Sequence, residues 1–462
     1  MSRGRRLSRP ERQALRRSQR EAIGSSVTSG VCDNYLGAFA IFLQASTQQV
    51  GWVVAIPQLV GAWAQLLSVW LGRHGVRRIG LILAGAAFQA AMVVVFIVLC
   101  VLPGSAPIAL LIAAAMLFQA GGHLVQPHWR ALMVTLVPIA RRGRYFARRS
   151  RITAVTSFVA LAAGGLVLHV AAQLTLPAAG FALLFGTALV GRLVSLRLLG
   201  SLAAFDDGAT GDATAPPRTL WRELVATLSD QAFRRFTLFV ALMQGAVAIA
   251  GPFFSVHMLR NLGFSYAEFM ASLAASILLQ LLTLNSWGYI SDHLGNRIVL
   301  VSTALVIPVL PLLWVFSGNF WYILAVQGLA GLAWGGFTLS SSNYLYDLRP
   351  PGSELASFAA VQAVVSGLAI FCGAMLGGWL AAALPAAVDL GGVTLVFTHP
   401  LYGVFLLSAA LRLAVTLWFT PRVAEIRLSQ AATVNQVIYR LARFNPVTGV
   451  VMDMLGAVRR RR

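Results

Sequence analysis

Residues Gly288–Arg297 read GYISDHLGNR and stand between two apolar runs, near 267–290 and 297–317. Each run has the roughly 20 residues that a helix needs to cross about 30 Å of hydrocarbon. The join between them is short, glycine-rich and charged. Gly288 and Gly295 permit a tight turn and close helix contact. Asp292 is placed to face a helix N-terminus and a neighbouring arginine, clasping one side of the membrane.

The same pattern of apolar runs extends in both directions. Twelve predicted spans fall near 23–45, 50–71, 78–101, 107–135, 152–172, 177–199, 236–259, 267–290, 297–317, 320–344, 355–384 and 399–420. Composition agrees: 58% of residues are hydrophobic and only 11% charged, whereas a soluble domain is nearer a quarter charged. The first span is the most polar, diluted by Ser25, Ser26, Thr28, Ser29, Asp33 and Asn34.

The net charge of +21 suggests nucleic acid until its distribution is read. All 36 basic residues are Arg, and 31 of them fall in the two tails and in loops on one side of the predicted membrane. The opposite loops hold Arg260 alone; Arg130, Arg192, Arg197 and Arg412 fall within spans. Such asymmetry predicts cytoplasmic termini, and arginine clusters beside spans suit anionic headgroups. The expected setting is therefore a plasma (inner) membrane, of a bacterium, with lipid as partner and no nucleic acid. The basic N-terminus shows no small-residue cleavage site after a short apolar stretch, so no signal peptide is expected.

The absence of lysine excludes a P-loop and a Schiff base. The three cysteines, Cys32, Cys100 and Cys372, are far apart in apolar stretches, which predicts no disulfide framework, metal site or other cofactor.

Residues 201–235 are polar, with Asp206, Asp207 and the pair Pro216 and Pro217, and read as a linker between two six-helix halves. The predicted organisation is a basic N-tail (1–22), a first bundle (23–200), the linker, a second bundle (236–421) and an amphipathic basic C-tail (422–462) lying on the inner leaflet. The halves are alike: Leu67–Arg78 resembles Trp287–Arg297, and Arg192 in span six matches Arg412 in span twelve. Internal repeats of this size are common in transporters.

The Gly288, Asp292, Gly295, Arg297 pattern resembles the G-x-x-x-D-x-x-G-x-R loop signature of the major facilitator superfamily. The first-half copy, Ser68–Arg78, keeps Gly75, Arg77 and Arg78, with Gly72 at the aspartate position. The stretch Leu136–Arg149 resembles a loop in a poorly characterised bacterial branch of that superfamily. The resemblance implies an all-α fold of two pseudo-symmetric six-helix bundles and a gate motif on the cytoplasmic side. The Gly-Pro-x-x-Gly-Gly pattern of antiporter members is missing from span five.

Charges inside a bilayer are expensive and usually face a cavity. Asp33 is the one acid read deep in a span, as a proton acceptor, a cation ligand or a structural acid. Gln119, His123, Gln126 and Arg130 recur at spacings of four, three and four on span four, one helical face. Asp33, Asn34 and this stripe form the expected coupling site and solute cavity, with an Asp33–Arg130 pair and Arg130 snorkelling to headgroups as alternatives. Arg192 and Arg412 are expected to snorkel.

These features favour a proton-coupled secondary transporter of a small solute, working by alternating access as a monomer. A non-transporting scaffold or receptor on the same fold is the alternative. An enzyme would need clustered acids, histidines or a nucleophile–base pair, for which only Asp33 and His123 are candidates.

Overall fold

A computed structural model of the protein describes residues 8–102, 108–137, 139–205, 229–348, 355–384, 387–389, 394–396, 399 and 401–422. The amphipathic C-tail reading and most of the linker fall outside these residues. The fold is all-α, with twelve helical spans: α1 (Arg9–Phe42), α2 (Thr47–Arg73), α3 (Arg78–Val101), α4 (Ile108–Leu136), α5 (Ile139–Gln173), α6 (Pro177–Gly200), α7 (Gln231–Val256), α8 (Tyr266–Leu294), α9 (Asn296–Val306) with α10 (Val309–Phe316), α11 (Phe320–Leu348), α12 (Leu355–Ala383) and α13 (Leu401–Phe419). Helices α9 and α10 are two parts of one span. A short antiparallel hairpin, Ala387–Asp389 with Thr394–Val396, lies between α12 and α13.

Eleven spans among the described residues are long and apolar enough to cross a membrane by composition. Helix α1 is the twelfth, and its polar residues have a structural reason. Ser26 and Thr28 are buried, and the Thr28 hydroxyl donates to the Ala188 carbonyl of α6 at 2.8 Å. These groups serve the protein interior, so lipid never meets them. With 34 residues, α1 is about 51 Å long at 1.5 Å per residue, and its Arg-rich first turns extend past the hydrocarbon. Ser8 and Glu11 form a capping box that starts it.

The chain packs as two compact units. The first holds residues 1–223 with 251–270 and 370–382. Its helices approach closely where side chains are smallest: a Cβ on Gly85 of α3 would stand 2.5 Å from the Gly121 carbonyl of α4, and one on Gly121 would stand 2.6 Å from the Gly85 carbonyl. Between lipid-solvated helices no hydrophobic gain remains, so such close van der Waals contact carries association. An aromatic cluster fills the rest, with Phe39 5.1 Å from Phe181 and 5.0 Å from Phe185. Arg260, just past α7, donates to the Ala45 carbonyl just past α1 at 2.5 Å.

The second unit holds residues 224–250, 271–369 and 383–462. Its core is aromatic: Phe233 meets Phe358 edge-on at 4.8 Å and Phe236 meets Tyr344 at 4.7 Å. Arg412, expected to snorkel, is instead buried, with 2% exposure. The cause is the break between α9 and α10. Pro311 has no N–H to offer the Ile307 carbonyl four residues earlier, and unsatisfied backbone groups are costly in a bilayer. Arg412 supplies that donor at 3.3 Å and also reaches the Val247 carbonyl at 3.4 Å and Ser408 at 3.1 Å.

Gly331 of α11 provides a test of this packing. A Cβ there would lie 1.9 Å from the Ser276 carbonyl of α8, whereas at Gly328 the nearest atom is Leu279 Cγ at 3.7 Å. Gly331→Ala is expected to lower stability by about 1–3 kcal/mol, the usual cost of overpacking. Gly328→Ala should be neutral or slightly stabilising through helix propensity. Melting curves of the two detergent-solubilised variants check this, and equal curves would refute the packing described.

Candidate functional site: a polar cavity in the first unit

Three helices carry polar residues at helical spacing and turn them toward one another. On α1 these are Glu21, Ser25, Ser29 and Asp33; on α4, Gln119, His123, Gln126 and Arg130; on α5, Arg149, Thr153 and Ser157. Together with Gln89 of α3 and Arg192 of α6 they line a cavity of about 560 Å³. That volume suits a small organic molecule.

The α4 stripe read from spacing lines the cavity in full, and so does Asp33. Asn34 is not among the lining residues; its amide donates to the Gly30 carbonyl of its own helix at 2.8 Å. The Asp33–Arg130 pair is not formed. Asp33 is exposed to the cavity, while Arg130 donates to Gln126 at 3.3 Å. Neither makes an ion pair with any described residue. His123 meets Gln65 of α2 at 3.3 Å. Its ring lies over Gly61, where a Cβ would stand 2.5 Å from the imidazole.

The ion pair of the cavity joins residues outside the expected site. Arg149 contacts Glu21 at 2.9 Å, with side chains 13% and 4% exposed. The other Glu21 oxygen accepts from Ser195 of α6 at 2.9 Å. The Arg149 guanidinium also stacks 4.0 Å from the centre of the Trp129 ring and donates to the Ser18 carbonyl at 2.5 Å. Arg192 corrects a second expectation: it is 4% exposed and lines the cavity instead of snorkelling. It donates to Ser195 at 3.4 Å, which places it beside Glu21. The i, i+4 recurrence of Glu21, Ser25 and Ser29, and of Arg149, Thr153 and Ser157, is the sequence signal that identifies these stripes.

The two glycine loops behave alike. Gly75 and Gly295 both take positive φ, at 86° and 93°, a conformation that glycine adopts without penalty. In the second loop Asn296 donates to Asp347 at the end of α11, at 2.7 Å, and accepts from Ser291. Arg297 donates to the Thr420 carbonyl at 3.5 Å. Asp292 is in α8, and its side chain is outside the described set. In the first loop the place of that aspartate is held by Gly72, and the His128 ring occupies the space: a Cβ there would lie 2.6 Å from the imidazole. Gly288, Arg77 and Arg78 complete the two copies of the motif. Among the described residues no three His, Cys, Asp or Glu side chains gather as a metal-holding group.

Solved structures share this architecture at low identity. The nucleoside transporter NupG is 12% identical, with a TM-score of 0.66 over 90% of this chain and 99% of its own. A bacterial homologue of the iron transporter ferroportin, in an inward-facing state, is 15% identical, with a TM-score of 0.67 over 91% and 100%. A bacterial homologue of the human lysosomal transporter Spinster is 14% identical, with a TM-score of 0.67 over 92% and 100%. No match is found among curated protein sequences. The model of the MFS_1 like family matches residues 28–386, the greater part of the membrane region, and the chain belongs to that family.

Proposed function

We propose that this protein is a secondary transporter that moves a small polar solute across the plasma membrane by alternating access, coupled to protons through Asp33. One observation carries the reading: an acid without a hydrogen bond or ion pair to any described residue lies open to a polar cavity among the helices of the first unit. A charge held there at a cost is a functional residue by default. The three solved relatives named above are all described as transporters or their homologues, which supports the same function here. Both termini are cytoplasmic on the arginine distribution, and the working unit is a monomer. Asp292, with Gly295 and Arg297, closes the cytoplasmic side of the second half.

Proteoliposomes under an imposed pH gradient, screened with a panel of small polar solutes, test this. At least one solute should accumulate in the wild type. Asp33→Asn should exchange that solute across the membrane yet fail to concentrate it, because exchange needs the site but not the proton. A pH-gradient-driven accumulation by Asp33→Asn would return Asp33 to a structural role. Absence of uptake for every solute would favour the scaffold or receptor reading.

A further inference from the structure

We infer that the solute of this cavity is an organic anion whose acidic oxygens are held by Arg130, Arg192 and the indole N–H of Trp129. The inference rests on the transport reading for the cavity's role and names the class of solute. The charge balance comes first. Three arginines, Arg130, Arg149 and Arg192, line the cavity against two acids, Glu21 and Asp33. Glu21 is committed on both oxygens, to Arg149 and to Ser195. Among the described residues Arg130 has only a neutral amide as partner, and it is exposed and lines the cavity.

Hydrogen-bonding capacity gives the same sign independently. Among the described residues, two buried polar atoms on cavity-lining side chains have no partner, Trp129 Nε1 and Arg192 Nε. Both are N–H donors. A buried donor left unmade is costly, and a group that only accepts satisfies it best. An ionised carboxylate or phosphate ester accepts on every oxygen and brings none of its own donors. An ammonium group, which only donates, would leave both of these N–H groups unmet.

The sign of proton coupling follows. The titratable and charged groups that line the cavity with Asp33 are Glu21 on its own helix, His123 and Arg130 on α4, Arg149 on α5 and Arg192 on α6. Ionised Asp33 opposes an anion in the same space. A proton on Asp33 removes that repulsion, so proton and anion favour each other's binding, and by reciprocity each raises the affinity for the other by the same factor. Such linkage makes the protein a proton–anion symporter.

Matched triplets test the class without any transport measurement. The purified full-length protein is titrated with benzoate, benzamide and benzylamine, and likewise with acetate, acetamide and ethylamine; phenyl phosphate and methyl phosphate extend the anion arm. The carboxylate or phosphate member is expected to bind about tenfold more tightly than the amide, the gain of one charge-assisted hydrogen bond. Arg130→Gln should abolish the preference and Arg130→Lys should keep part of it. Affinity for the anion should rise as pH falls, and Asp33→Asn should flatten that dependence. An amine preference, or no anion that binds better than its amide, overturns the assignment. Anion preference without uptake by proteoliposomes would retain the assignment and remove the transport reading; uptake of neutral or cationic solutes alone would do the reverse.

Discussion

Glu21→Ala is expected to destabilise the protein by about 3–5 kcal/mol, the cost of leaving one member of a buried ion pair without its partner. The side chain is 3% exposed at residue level, and it holds Arg149 at 2.9 Å and the Ser195 hydroxyl at 2.9 Å. Its loss strands two cations, since Arg192 lies beside the same carboxylate through Ser195. Arg149 keeps the Ser18 carbonyl and the Trp129 ring, which soften but do not replace a carboxylate. Glu21→Gln keeps the volume and one acceptor, so it should fall between wild type and Ala. The pair is isolated by a double substitution: Glu21→Ala with Arg149→Ala should cost less than the sum of the two singles, by an interaction energy on the order of 0.5–3 kcal/mol. Melting of the purified variants measures all four corners. If Glu21→Ala melts no lower than Ser29→Ala, the ion pair holds nothing together.

The fold was legible because lipid imposes one rule on every span. Backbone groups must bond within the helix, so length and hydropathy mark helices. Helix α1 is the instructive exception. Its hydropathy fails because Ser26, Thr28 and Asp33 serve the interior, and only spacing betrays that. Within the site, the α4 stripe was readable because four polar residues in an otherwise apolar run leave one helical face as the common feature. Arg149 was hidden for the opposite reason. It belongs to a dense run, Arg141–Arg151, that reads as headgroup contact, and only its i, i+4 spacing to Thr153 and Ser157 marks it as a cavity residue. Glu21 falls in the N-tail by hydropathy because α1 begins at Arg9, well before the apolar run, and only its i, i+4 spacing to Ser25 and Ser29 points to the cavity. Arg192 and Arg412 were misread because snorkelling and burial share a sequence; the deciding facts are an acid from another helix and a carbonyl freed by a proline, both distant in the chain.

Gly72→Asp would restore the family's aspartate to the first loop, and it is expected to cost about 2–4 kcal/mol instead of strengthening a clasp. The position has been filled from elsewhere. The His128 ring lies where the side chain would grow, with Cε1 2.6 Å from a Cβ at residue 72. That ring is not free to swing aside: His128 is 7% exposed, and its Nε2 lies 2.9 Å from the Ser68 carbonyl of α2. Ser68 in turn donates to the Leu124 carbonyl of α4 at 2.8 Å, so these contacts tie α2 to α4 beside the loop. Inserting the acid therefore adds the overpacking cost of a tight site to the loss of at least one buried hydrogen bond. The combination Gly72→Asp with His128→Ala separates the two explanations. Space opened by the smaller residue should recover part of the stability lost by Gly72→Asp alone, more than His128→Ala itself costs. Melting temperatures of the two singles and the double give the answer. A Gly72→Asp protein as stable as wild type would mean that the ring yields readily and that glycine at this position has some cause other than His128.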